Sequence, residues 1–156
     1  MRIILVGGGT MGSVTPLLAL YQEIKRQKPD TEFLWLATRK GIEGKLISQY
    51  QIPIKHIFAG KLRRYFSLKN FFDPILIFFG FIQSFFIILK FRPQAVVSAG
   101  SFVAVPTTWA AWLLRRPTLI HQQDVVPGLA NLLMAYFANI IKVTFPRSLQ
   151  DFPKGK

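Results

Sequence analysis

Three short stretches hold the residue types from which a reactive or binding site can be built. The first runs Gly7-Gly-Gly-Thr-Met-Gly-Ser-Val-Thr-Pro16, after the apolar run Ile3–Val6 and before an amphipathic segment. That order reads as strand, glycine loop, helix. Glycines let the backbone approach a ligand closely and adopt positive φ. The helix start presents N–H groups where negative charge is favoured, so an anionic, above all a phosphorylated, ligand fits. A tight turn without a ligand is the alternative. The second stretch, Ser98-Ala-Gly-Ser-Phe-Val-Ala-Val-Pro106, is another small-residue loop between strand and helix. It can hold a further polar ligand group or pack as a close turn. The third is His121-Gln-Gln-Asp-Val-Val-Pro-Gly128. Alone, a histidine where a strand meets solvent reads as structural. Beside Asp124 and two amides it reads equally as part of a binding site. Asp124 is the only acid between Asp73 and Asp151.

The elements that must carry these loops alternate. Strands are expected at Arg2–Val6, Glu32–Ala37, Ile54–Ile57, Ala95–Ser98, Thr118–His121 and Ile140–Thr144. Helices are expected at Val14–Gln27, Ile42–Tyr50, Asp73–Lys90, Val103–Leu114 and Gly128–Ala138. The unbroken apolar first strand suits a parallel sheet covered on both faces. Repeated βα units predict an α/β, Rossmann-like doubly wound domain. Such sheets bind ligands beyond the carboxyl ends of their strands. The functional loops are then Gly7–Ser13, Thr38–Gly41, Phe58–Tyr65, Ala99–Phe102 and Gln122–Gly128.

Composition narrows the class. The 156 residues suffice for one domain with a core, expected over 1–150. Residues 151–156 read as a domain edge or truncation point. Apolar residues make up 51 %, too many for a disordered chain. There is no cysteine, so disulfides and thiolate metal sites are out, and two histidines with seven acids leave little for any metal. A net charge of +13 points to a polyanionic partner: nucleic acid, anionic lipid or a phosphorylated substrate. The N-terminal apolar run is too short for a signal peptide.

The stretch from Lys55 to Phe91 is the most unusual in composition. Lys55, Lys61, Arg63, Arg64 and Lys69 come with no acid among them. Asp73-Pro74 then reads as a helix start, an acid N-cap before a proline. Ile75 to Leu89 is uncharged, and eight of the fifteen phenylalanines, including Phe71, Phe72, Phe78 and Phe79, lie between Phe71 and Phe91. Fifteen helical residues span about 22 Å, against a hydrocarbon core of about 30 Å. Three readings stay open: a spanning helix, a wholly buried core helix, and a helix partly exposed beside a basic loop. Phe and Leu next to Lys and Arg is the composition of an interfacial membrane anchor.

Gly7, Gly9 and Gly12 also satisfy G-x-G-x-x-G. A nicotinamide site would want an acid at the end of the second strand. That strand ends in Thr38-Arg39-Lys40, so an NADP site using Arg39 is the form this reading takes.

Taken together, Gly8–Pro16, Gly41-Ile-Glu43, Gly60-Lys-Leu-Arg-Arg64, Ser98–Pro106, His121-Gln-Gln-Asp124, Pro127-Gly-Leu-Ala-Asn131 and Thr144-Phe-Pro146 resemble the N-terminal half of MurG-type UDP-N-acetylglucosamine transferases. The resemblance covers nearly the whole chain. It implies the acceptor- and membrane-binding half of a two-domain GT-B glycosyltransferase. Such enzymes add GlcNAc to undecaprenyl-pyrophosphoryl-MurNAc-pentapeptide, lipid I, at the cytoplasmic face of the cell membrane. The donor UDP-GlcNAc would be held mainly by a second domain, absent from this sequence, with a separate donor-domain subunit as one source of it. No metal, cofactor or nucleic acid is implied. The loops would cradle the acceptor pyrophosphate through Gly8, Gly9, Gly12, Ser13, Gly100, Ser101 and Phe102, with His121, Gln122 and Asn131. Thr10, Met11, Gly12 and Asp124 match positions that touch the donor. Lys61, Arg63, Arg64, Lys69, Phe71, Phe72, Phe78 and Phe79 would meet the membrane.

Two departures matter. The family usually has Gly-Gly-Thr-Gly-Gly-His, where this chain has Met11 for a glycine and Ser13 for the histidine. A serine hydroxyl is no base near neutral pH. The family's His-Glu-Gln-Asn becomes His121-Gln-Gln-Asp124, which moves the carboxylate to the fourth position and makes Asp124 the candidate base. Beside the transferase half stand an NADP-binding module and a non-catalytic membrane-surface protein.

Overall fold

A computed structural model of the chain describes residues 1–39, 43–61 and 69–155. Six strands form one parallel sheet: β1 (Arg2–Val6), β2 (Glu32–Ala37), β3 (Ile54–His56), β4 (Ala95–Ser98), β5 (Thr118–Gln122) and β6 (Ile140–Val143), in the order β3-β2-β1-β4-β5-β6. Among the described residues five helices connect them: α1 (Thr15–Gln27), α2 (Glu43–Gln49), α3 (Lys69–Phe91), α4 (Ala104–Leu113) and α5 (Leu129–Ala135). This is the expected doubly wound α/β architecture.

Alternation along β1 divides the core. Ile3 and Leu5 point to one face, with Leu17, Phe33 and Trp35. Ile4 and Val6 point to the other, with Leu34, Leu36, Val96, Ile120 and Ile88 of α3. All of these are buried, so both faces are covered and the strands read as continuous apolar runs. Trp35, fully buried, donates its indole N–H to the Gly7 carbonyl at 2.8 Å. That bond satisfies a polar atom in the core and holds the start of the first glycine loop.

Connectivity reverses between β1 and β4. From β1 the chain runs out through β2 and β3, then returns to β4 on the other side. Strand-end loops diverge at such a switch point and leave a crevice between them. The register places Val6 opposite Ser98, so the loops after β1 and β4 leave the sheet side by side. Gly9 at φ +81° and Gly100 at φ +83° let both loops turn in the left-handed region.

One helix start differs from expectation. Asp73-Pro74 does not open α3, which begins at Lys69 and carries Pro74 inside it. Asp73 is buried, and its backbone packs on Gly60, where a Cβ would run into the Asp73 carbonyl. The proline falls early enough that its missing N–H costs the helix a single bond near the N-terminus. Smaller shifts trim other ends: the first helix starts at Thr15 after a short 3-10 turn, Met11–Ser13, and α5 ends at Ala135.

The 23 residues of α3 reach about 34 Å. Its Asp73–Phe91 part is long and apolar enough to cross a membrane by length and composition. It is nevertheless docked on one side. Ile77, Gly80, Ser84 and Ile88 are buried at helical spacing. Gly80 fits against the Phe58 carbonyl, where a Cβ would collide. Ser84 and Thr107 of α4 share a buried hydrogen bond at 3.0 Å. The opposite side exposes Ile75, Phe78, Phe79, Phe86 and Leu89, with Phe78 and Phe86 59 % and 63 % exposed. The helix is therefore partly buried and partly an open aromatic stripe.

Candidate functional site

A cleft of about 430 Å³ opens at the carboxyl end of the sheet, over the switch point. The first glycine loop supplies Gly8, Gly9, Thr10, Gly12 and Ser13. The loop after β4 supplies Gly100, Ser101 and Phe102, the end of β5 supplies Gln122, the turn beyond it Gln123 and Asp124, and α5 supplies Asn131. Lys61 stands at the β3 side. The predicted residues thus converge, apart from Met11 and His121, which do not line the cleft. A larger groove, about 760 Å³, lies at the amino ends of the strands beside Arg2 and Glu32. Those two form an ion pair with each other at 3.2 Å, and parallel sheets bind ligands at the other end, so the smaller cleft is the candidate.

Hydroxyls and amides, rather than charges, hold the loops. Ser101 Oγ donates to the Gly8 carbonyl at 2.8 Å, and Ser13 Oγ donates to the Thr10 carbonyl at 3.0 Å. Ser13 is buried, so its hydroxyl serves its own loop. Gln123 Nε2 donates to the Ala99 carbonyl at 2.8 Å and links the β5 segment to the β4 loop. Gln123 was not among the expected site residues, because nothing in its type separates it from Gln122.

Gln122 is an internal strut. It is buried, its Nε2 donates to the Asp124 carbonyl at 2.7 Å, and its Oε1 accepts from Asn131 Nδ2. Ser148 Oγ adds a bond to the Val125 carbonyl at 2.8 Å. These bonds shape the turn that leaves Asp124 exposed at the cleft. His121 Nε2 hydrogen-bonds Thr144 Oγ1 at 3.1 Å, toward β6. Burial holds its imidazole below the ordinary histidine pKa.

Arg39, the residue an NADP site would use, places its guanidinium 5.4 Å from the centre of the Phe58 ring. Gly41, Arg63 and Arg64 lie outside the described residues, and Lys69, Phe71 and Phe72 are described as helical backbone only. Phe78 and Phe79 lie on the exposed stripe. Among the described residues, no three histidines or acids gather as a metal site would need.

The arrangement can bind an anion through loop N–H groups and present one carboxylate beside it. The family model for the glycosyltransferase family 28 N-terminal domain matches residues 3–143. UDP-N-acetylglucosamine--N-acetylmuramyl-(pentapeptide) pyrophosphoryl-undecaprenol N-acetylglucosamine transferase 2 of Bacillus cereus is 41 % identical over 155 residues, 99 % of this chain and 44 % of its own length. The corresponding transferase of Legionella pneumophila (strain Corby) is 43 % identical over 152 residues, 97 % of this chain and 41 % of its own. The crystal structure of Acinetobacter baumannii MurG superposes with a TM-score of 0.81 at 28 % identity, over 99 % of this chain and 44 % of that one. UDP-GlcNAc 2-epimerase from Neisseria meningitidis shares the fold at TM-score 0.71 and 12 % identity, over 97 % of this chain and 42 % of its own. The chain therefore spans less than half the length of the relatives it matches.

Proposed function

Since the chain belongs to the glycosyltransferase family 28 N-terminal domain family, we propose that it is the acceptor-binding half of an inverting, lipid-linked glycosyltransferase. The reaction moves GlcNAc from UDP-GlcNAc to undecaprenyl-pyrophosphoryl-MurNAc-pentapeptide in peptidoglycan synthesis. The observation that carries this reading is the pair of glycine loops joined at Ser101 and Gly8 over the switch point, with Asp124 beside them. In one displacement, the MurNAc 4-hydroxyl oxygen bonds to the anomeric carbon as the bond from that carbon to the UDP phosphate breaks. The hydroxyl proton passes to Asp124, and UDP leaves with the electron pair. Glycine-loop N–H groups hold the acceptor pyrophosphate and cost no reorganisation during the step. UDP-GlcNAc is held mainly by a donor-binding half, in the same or a separate chain.

The exposed stripe of α3 supports docking on the cytoplasmic face of the cell membrane. A helix tied to α4 by Ser84 and Thr107 lies in the interface rather than across it. Its rings meet the acyl boundary while nearby cations face anionic headgroups.

The test mixes the chain with the donor-binding domain of a relative and follows transfer of labelled GlcNAc to a lipid I analogue. Turnover that depends on both components supports the reading. No transfer under conditions where the relative's own two halves are active overturns it.

A further inference from the structure

Lys61 is one of the cations that the family resemblance puts at the membrane, but its surroundings set it apart. The loop that carries it is clamped at three points. The Phe58 N–H donates to Gln83 Oε1 of α3 at 2.8 Å. The Phe58 carbonyl seats against Gly80, and Gly60 seats against the backbone of Asp73, both so closely that a Cβ at either glycine would collide. The Phe58 ring in turn lies under Arg39. Lys61 thus leaves a fixed backbone at the junction between the first half of α3 and the cleft. Among the described residues it is the only cation that lines the cleft, and Asp124 is the only acid. Lys61 follows β3 and Asp124 follows β5, strands four positions apart in the sheet, and residues of both glycine loops line the same cleft with them.

We propose that Lys61 is the counter-charge for the diphosphate of the lipid-linked acceptor, a substrate-binding residue and not part of the general membrane surface. The proposal rests on the reading of the cleft as the acceptor site and adds the direction of the bound substrate. The prenyl chain lies along the open stripe of α3, the diphosphate sits between Lys61 and the glycine loops, and the sugar hydroxyl reaches Asp124. Loop N–H groups supply only partial charge to a group that carries at least two negative charges. A lysine ammonium is a compact point charge suited to phosphate. A clamped backbone lowers the entropy lost when its side chain engages.

The experiment uses the whole chain and farnesyl diphosphate as a soluble prenyl diphosphate, with UDP as the donor-side control. Binding is measured by calorimetry for the wild type, Lys61→Gln, Lys61→Arg and Lys90→Gln. Partitioning onto vesicles of equal parts phosphatidylcholine and phosphatidylglycerol is measured alongside. Lys61→Gln is expected to weaken farnesyl diphosphate binding about tenfold, equivalent to about 1.4 kcal/mol. Lys61→Arg should restore most of it. The loss of vesicle binding in Lys61→Gln should be no greater than in Lys90→Gln, at the far end of α3. Wild-type farnesyl diphosphate binding in Lys61→Gln overturns the proposal and leaves the acceptor reading standing. So does a loss confined to UDP or to vesicles. A wild type that binds no farnesyl diphosphate overturns the acceptor reading, and the proposal with it.

Discussion

The hydroxyl of Ser101 donates to the carbonyl of Gly8 at 2.8 Å, so two loops 93 residues apart in sequence share one hydrogen bond across the switch point. The bond occupies the Gly8 carbonyl, which keeps an acceptor from facing an anionic ligand in the cleft. Ser101→Ala should lower stability by about 1 kcal/mol, the usual net worth of such a bond. For a chain of this size that is a fall of about 2–4 °C in melting temperature. Farnesyl diphosphate binding should weaken in the same variant. Unchanged melting and binding would show that the loops hold their positions without it.

Asp124 and Ser13 divide the base question. Asp124 stands exposed at the cleft, while Ser13 is buried with its hydroxyl on the Thr10 carbonyl. In the proposed mixture of this chain with a donor-binding domain, Asp124→Asn should reduce turnover by about 10²-fold or more, the scale of losing a general base. Ser13→Ala should cost stability and much less turnover. If Asp124→Asn keeps turnover and only raises the acceptor KM, Asp124 is a binding residue.

The stripe on α3 makes a membrane prediction that stability measurements can separate from folding. Phe79 and Phe86 are 50 % and 63 % exposed. The double substitution Phe79→Ser and Phe86→Ser should leave melting nearly unchanged. It should weaken partitioning onto anionic vesicles by about tenfold or more, since each ring withdrawn from the interface forfeits about 1 kcal/mol or more. Added salt should release the wild type, because exposed charges are screened within about 10 Å at 0.1 M. Alkaline carbonate should also release it. Retention in carbonate would mark a spanning helix.

His121 gives the fold a pH dependence of known sign. Burial holds its folded pKa below the ordinary 6.5. The unfolded chain therefore binds the proton more readily, and protonation favours unfolding. The contribution is present in full above the ordinary value and is lost as pH falls through it toward the folded value. His121→Gln retains a partner for Thr144 but cannot titrate. Its melting temperature should fall less than that of the wild type between about pH 8 and about pH 5. Equal falls would remove His121 as the source.

By itself, the sequence determined the alternation of strands and helices. It did so because apolar runs such as Ile3–Val6 and Phe33–Ala37 can be satisfied only between two covered faces. It also pointed to the loops that line the cleft, through the glycines after β1 and the small residues after β4. Glycine spacing together with the motifs around His121, Pro127 and Thr144 sufficed for the family. Tertiary structure decided what each side chain does there. Gln122 and Asp124 have similar prospects in a string of letters, yet one is enclosed by Asn131 and its own turn while the other faces the cleft. His121 was expected at the ligand and pairs instead with Thr144, just past the end of the neighbouring strand. The start of α3 escaped the sequence reading for the same reason. Asp73-Pro74 has the local form of a helix start, but Asp73 is buried against Gly60, and that packing partner lies thirteen positions away. Local residue types set the elements and their ends to within a turn. Contacts between distant loops, invisible to local patterning, choose which polar groups are used up in holding the site and which remain to meet a substrate.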